Sequence, residues 1–150
     1  MKIKRGALSL EAQEKLSPDE RQEYLNGRLR QMVNYAYRKA PGIKARFDAA
    51  GVTPDDIASP DDLEKLPIIK KDRLLEFQEA SPPFGGLAAL PIEKMGRVYV
   101  SPGPIFDPHH QNKSFRDRLG QCMLGIGFHK GDIVVNTFSY HLVFGGWVVD

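Results

Sequence analysis

Apolar residues recur first at helical spacing along this chain and later in short β-branched runs. Leu25, Leu29, Met32, Val33 and Ala36 share one face of a helix. Ahead of them Ser17-Pro18-Asp19-Glu20 has the form of a capping box, with proline at the first helical position. Pro41-Gly42 ends that helix, and a shorter one carries Ile43 and Phe47 and stops at Gly51. Thr53-Pro54-Asp55-Asp56 and Ser59-Pro60-Asp61-Asp62 each join a capping residue, a proline and early acids that suit the helix dipole, so two more helices are expected, the second closed by Pro67. Lys71 to Glu79, with Leu74, Leu75 and Phe77, predicts another short helix, and Ser81–Gly86 a loop.

After residue 95 the pattern changes. Arg97 to Val100 predicts a strand, and Phe115, Leu119, Met123 and Ile126 predict a helix over 111–127. Gly127 and Gly131 bracket a turn, and the apolar run from Asp132 to Phe138 predicts a buried strand. Strand, glycine turn, helix and strand is the βαβ order of a parallel sheet, in which ligands lie beyond the carboxyl ends of the strands. The expected organisation is a helical segment over 1–90 and the beginning of an α/β domain over 91–150.

Composition changes little in this picture. The 150 residues are 41% hydrophobic and 27% charged, with a net charge of +2, as in ordinary globular chains. Residues 1–50 carry +5 and residues 51–150 carry −3, which reads as a solvated helix face rather than a nucleic-acid surface. Cys122 is the lone cysteine, so no internal disulfide can form, and its apolar flanks suggest a buried thiol. No signal-like leader, membrane-spanning run, repeat or low-complexity segment is visible, and a cytoplasmic location is expected. The last residues, Asp132 to Asp150, are the most apolar of all, an ending expected of a chain cut inside its core.

Candidate chemistry gathers after the first strand, in Ser101-Pro-Gly-Pro-Ile-Phe-Asp-Pro108. A glycine turn after a strand can aim backbone N–H groups at a phosphate, but proline has none to offer. His109-His110 has no further Cys or His at ligand spacing, so no metal site is expected there. His141, beside Tyr140, reads equally as a core histidine or a pocket residue. Phe144-Gly145-Gly146-Trp147 reads equally as core packing or as the floor of a pocket for a flat ring. No nucleophile–base pair, paired carboxylates or basic–aromatic stripe is present.

In order along the chain, "FDAAGV" (47–52), "LEKLPIIKKD" (63–72), the Ser101–Pro108 loop, Gly131-Asp132 and "YHLVFGG" (140–146) resemble the N-terminus of phenylacetate–CoA ligases, within the AMP-forming acyl-CoA synthetase superfamily. That resemblance implies the first strands of the N-terminal, AMP-binding sheet of an adenylate-forming enzyme, with an incomplete domain here. It implies a parent that activates a carboxylic acid with ATP and Mg²⁺ and passes the acyl group to CoA. Ser101, Gly103, Ile105, Phe106 and Asp107 would then lie on the nucleotide side, with Asp107 a weak candidate for Mg²⁺. Tyr140, His141, Phe144, Gly145 and Gly146 would lie against the acyl substrate, and the catalytic lysine would lie beyond residue 150. The sequence departs from the family's Ser-Ser-Gly-Thr-Thr-Gly-Lys-Pro loop: both threonines, the second glycine and the lysine are absent. Residues 108–131 also look too short for the extra strand that the family places before the helix. The alternative is a non-adenylating relative that binds an acyl or nucleotide ligand, or a remnant without activity.

Overall fold

The structure, a computed structural model, describes residues 10–110 and 113–148. The chain divides into two compact units, Met1–Ile69 and Lys70–Asp150.

The first unit holds α1 (Leu10–Glu14), α2 (Pro18–Lys39) and α3 (Pro41–Ala49), followed by 3₁₀ turns at Pro54–Asp56 and Pro60–Lys65. The α2 capping box forms as expected. The Ser17 N–H donates to the Glu20 carboxylate at 3.0 Å, and the Glu20 N–H donates to Ser17 Oγ at 3.3 Å. The same reciprocal bonding joins Thr53 to Asp56 and Ser59 to Asp62. These starts lead into 3₁₀ turns rather than α-helices, because Ile57 and Pro67 arrive before an α ladder can establish itself. Asp62 accepts from the N–H groups of Ala58 and Ser59, from Ser59 Oγ and from Lys65 Nζ. The Lys65 ammonium and then those N–H donors hold its carboxyl far below the ordinary range.

Ile57 is fully buried between Val33 and Phe47, with Leu29, Tyr37, Ile43, Val52 and Leu66 packed around them. Tyr37 meets Phe47 edge-on at 5.6 Å, and its hydroxyl donates to Asp48 at 2.8 Å. This core corrects the expected α2 face: Leu29 and Val33 point inward, whereas Leu25 and Met32 are exposed, Met32 by 63%. The contact with α3 and Ile57 selects which stripe is covered, and it runs through Tyr37. Arg30 and Arg46 tie the irregular stretch down by donating to the carbonyls of Ala58 (3.2 Å) and Pro67 (2.9 Å).

The second unit contains a 3₁₀ turn (Lys71–Arg73), α4 (Leu74–Ala80), a further 3₁₀ turn (Ile92–Lys94), strands β1 (Arg97–Ser101) and β2 (Ile105–His109), α5 (Lys113–Gly125) and α6 (Gly145–Val148). Composition changes near residue 90, but packing assigns α4 to this unit, because the buried Gln78 side chain grips β2.

Three expectations are corrected here. First, β1 and β2 pair antiparallel, with Arg97 opposite His109, Tyr99 opposite Asp107 and Ser101 opposite Ile105. The parallel βαβ arrangement is therefore absent among the described residues. β2 follows β1 after a three-residue turn and takes up residues 105–109 of the expected loop, and no further strand lies between His109 and α5 among the described residues. Second, residues 132–138 form no strand. They find no ladder partner among the described residues, and Ile133 is 96% exposed. Third, Cys122 is exposed rather than buried. Its position on α5 lies off the half-buried line of Leu119 and Met123. Of the helix expected over 111–127, residues 111 and 112 lie outside the described residues, and the described helix α5 runs Lys113–Gly125. No helix among the described residues is long and apolar enough to cross a membrane.

Candidate functional site

The candidate residues fall on the β1–β2 hairpin and on residues 136–147 after it. Two features fix the hairpin. Gln78, nearly buried, donates through Nε2 to the Phe106 carbonyl (2.8 Å) and accepts from the Phe106 N–H (2.9 Å). This clasp satisfies the outward-facing N–H and carbonyl of Phe106, which the β1–β2 pairing leaves free. Ile105 is 3% exposed and anchors the start of the strand.

The tip of the hairpin is Pro102-Gly103-Pro104. Gly103 has φ near +155°, and a Cβ there would lie 2.7 and 2.9 Å from the Ile105 side chain. The backbone conformation and the occupied space both require glycine. Ser101 Oγ is buried and, among the described residues, is the one buried side-chain polar atom without a hydrogen-bond partner. Phe106 and Asp107 are exposed on β2. The five residues expected on the nucleotide side are thus neighbours, but they form a hairpin and not an open loop.

Residues 136–147 fold onto that hairpin. The Val100 N–H donates to the Leu142 carbonyl at 2.9 Å. Phe144 packs on Tyr99 (5.2 Å) and on His109 (5.1 Å), and Tyr99 meets His109 at 5.9 Å. Tyr140 stands edge-on to Trp147 at 5.1 Å, and the Arg97 guanidinium lies over the same indole at 4.4 Å. Asn136 Nδ2 donates to the Tyr140 hydroxyl (2.8 Å) and to the Gly146 carbonyl (3.0 Å). The His141 side chain is exposed, and its Nδ1 accepts from the Val143 N–H at 3.2 Å. Its carbonyl accepts from Trp147 Nε1 at 2.9 Å. Gly145 and Gly146 open α6, and a Cβ on Gly146 would lie 2.6 Å from the Ser139 carbonyl oxygen.

The structure therefore joins Phe144 to the hairpin through two residues that were not expected there, Tyr99 and His109. It also adds Asn136, Arg97 and Gln78 as residues that hold the segment together. A polar residue inside the apolar run 133–138 was the visible signal for Asn136. Nothing local in the sequence marks Gln78, because its partner is 28 residues away. No group of three or more His, Cys, Asp or Glu able to hold a metal ion occurs among the described residues.

No family model matches the chain. Over 143 residues, 91% of this chain and 31% of the relative, it is 34% identical to phenylacetate–coenzyme A ligase of Aromatoleum evansii. Over 139 residues it is 30% identical to the Escherichia coli K12 enzyme of the same name, covering 89% of this chain and 31% of that one. Among solved structures, 2-hydroxyisobutyryl-CoA ligase in the postadenylation state superposes with a TM-score of 0.85 at 26% identity, over 98% of this chain and 33% of that chain. The same ligase with 2-HIB-AMP and CoA, in the thioesterification state, gives 0.83 at 25% identity, over 98% and 34%. The chain thus spans about a third of the length of the relatives it matches. The helical lead-in and the small antiparallel sheet are the N-terminal part of an adenylate-forming ligase fold, and in sequence the chain matches the N-terminal third of phenylacetate–CoA ligases.

Proposed function

We propose that this chain is the N-terminal portion of an AMP-forming carboxylate–CoA ligase. In that reaction a carboxylate oxygen attacks the α-phosphorus of ATP and pyrophosphate leaves. The CoA sulfur then attacks the acyl carbonyl of the mixed anhydride and AMP leaves. A carboxylic acid, ATP with Mg²⁺, and CoA are the ligands this reading implies. The observation that carries it is the agreement of sequence and fold along almost the whole chain, 91% in one comparison and 98% in the other.

Tyr140, His141, Phe144, Gly145 and Gly146 are proposed as part of the wall against the acyl group. The three ring contacts, of Phe144 with Tyr99 and with His109 and of Tyr140 with Trp147, support this because they present fixed apolar faces. A non-adenylating relative is the second reading, and the two prolines flanking Gly103 are the observation that favours it.

The test uses the full-length protein with a panel of aryl and short hydroxy acids. Carboxylate-dependent exchange of pyrophosphate into ATP, followed by CoA thioester and AMP in equal amounts, is the expected result. Neither exchange nor thioester with any acid would reject the ligase reading.

A further inference from the structure

Adenylate-forming ligases take ATP as substrate, and the chemistry of the β1–β2 turn bears directly on where its phosphates could be held. Backbone binding of a polyanion needs successive N–H groups converging on one point, or a helix N-terminus facing it. The tip Pro102-Gly103-Pro104 carries a single N–H, because neither proline has one. Two adjacent donors cannot occur there in any conformation.

The remaining groups point the same way. The Ser101 hydroxyl is buried to the point of having no accessible surface for a ligand oxygen to reach. The side of Gly103 on which a Cβ would sit is filled by Ile105. Between Arg97 and Lys113 the chain has no lysine or arginine, and Arg97 lies over Trp147. The exposed charge on β2 is the carboxylate of Asp107. A packed, proline-bounded tip with an acid nearby offers a triphosphate a single backbone N–H and no lysine or arginine.

We propose that the β1–β2 turn of this protein makes no contact with a polyphosphate, so that a bound adenine nucleotide gains nothing there from its β- and γ-phosphates. The turn is instead a structural hairpin that holds Tyr99 and His109 against Phe144. The identity of the nucleotide rests on the ligase reading; the chemistry of the turn does not.

The experiment measures dissociation constants of Mg-ATP and of AMP by calorimetry for the full-length protein and for Ser101→Ala and Asp107→Asn, with thermal unfolding alongside. Both variants are expected to keep both constants within twofold. Ser101→Ala is expected to leave Tm unchanged or higher, because it deletes a buried hydroxyl without a partner. A fivefold or greater weakening of ATP, with AMP unaltered, in either variant would overturn the proposal: in Ser101→Ala it would make the hydroxyl a phosphate ligand, and in Asp107→Asn it would make the carboxylate a Mg²⁺ ligand. If the wild-type protein bound neither nucleotide, the ligase reading would fall and the turn's lack of phosphate contact would stand.

Discussion

The two units of this chain order their apolar residues by different means. In Met1–Ile69, Ile57, Phe47 and Val33 are buried together, and the turns around them are closed by short-range caps. In Lys70–Asp150 the hairpin and its aromatic contacts are ordered by Gln78 and Asn136, yet Ile133, Val135, Phe138 and Leu142 stand exposed. The difference shows what kind of partner each region needs. Helices and capped turns find most of their hydrogen bonds within four residues, so the core around Ile57 needs no strand partner. A β-branched run has no backbone partner of its own and stays extended until a neighbouring strand supplies one.

The largest effect is expected in the first unit. Phe47→Ala removes the ring that packs against Tyr37 and the Ile57 core, at a cost of about 3–5 kcal/mol. Hydrogen exchange along α2 reports the helical transition of this unit, and the fluorescence of Trp147, the lone tryptophan, reports the other. The helical transition is expected to move to lower denaturant concentration while the fluorescence transition moves less. Equal shifts would erase the contrast between the units.

In the second unit Gln78→Leu leaves the Phe106 N–H and carbonyl without their partners, at a cost of roughly 1–3 kcal/mol. Hydrogen exchange at the Phe106 amide is expected to accelerate, with Val33 unaffected. Gly146→Ala brings a Cβ against the Ser139 carbonyl and is expected to cost roughly 1–3 kcal/mol through overpacking. Unchanged Trp147 fluorescence unfolding in that variant would refute the close approach of Gly146 to Ser139.

A smaller effect is expected from the caps, and its sign follows from protonation. Glu20, Asp56 and Asp62 all have carboxyls held below their ordinary values, by hydrogen bonds from Ser17 and Thr53 and, for Asp62, first by Lys65. Their contribution is complete above the unfolded carboxylate pKa, about 3.9–4.3. It is lost as pH falls through the depressed folded values. Asp62→Asn is expected to flatten the acid limb of the stability profile for the first unit. An unchanged slope below pH 4 would remove Asp62 from that role. The smallest change is expected for Val135→Lys, within about 0.5 kcal/mol because the site is exposed.

How much of this could be read from the sequence follows the range of the interactions. Ser17, Thr53 and Ser59 specify their own caps, since each bonds to an acid three residues on. The boundaries of α2 and α3 follow from Pro18 and Pro41, and the segment order from Phe47 to Gly146 pointed to the ligase family. Tertiary structure alone decided the rest. Which stripe of α2 is buried depends on Ile57 and Phe47, and whether Ser101–Pro108 is an open loop or a hairpin depends on Ile105 pairing back to Ser101. The joining of His109 to Phe144, 35 positions along, likewise depends on the hairpin being formed. Caps and turns are decided by neighbours that the chain cannot avoid, whereas strand pairing and the choice of a buried face are decided by residues that only folding brings together.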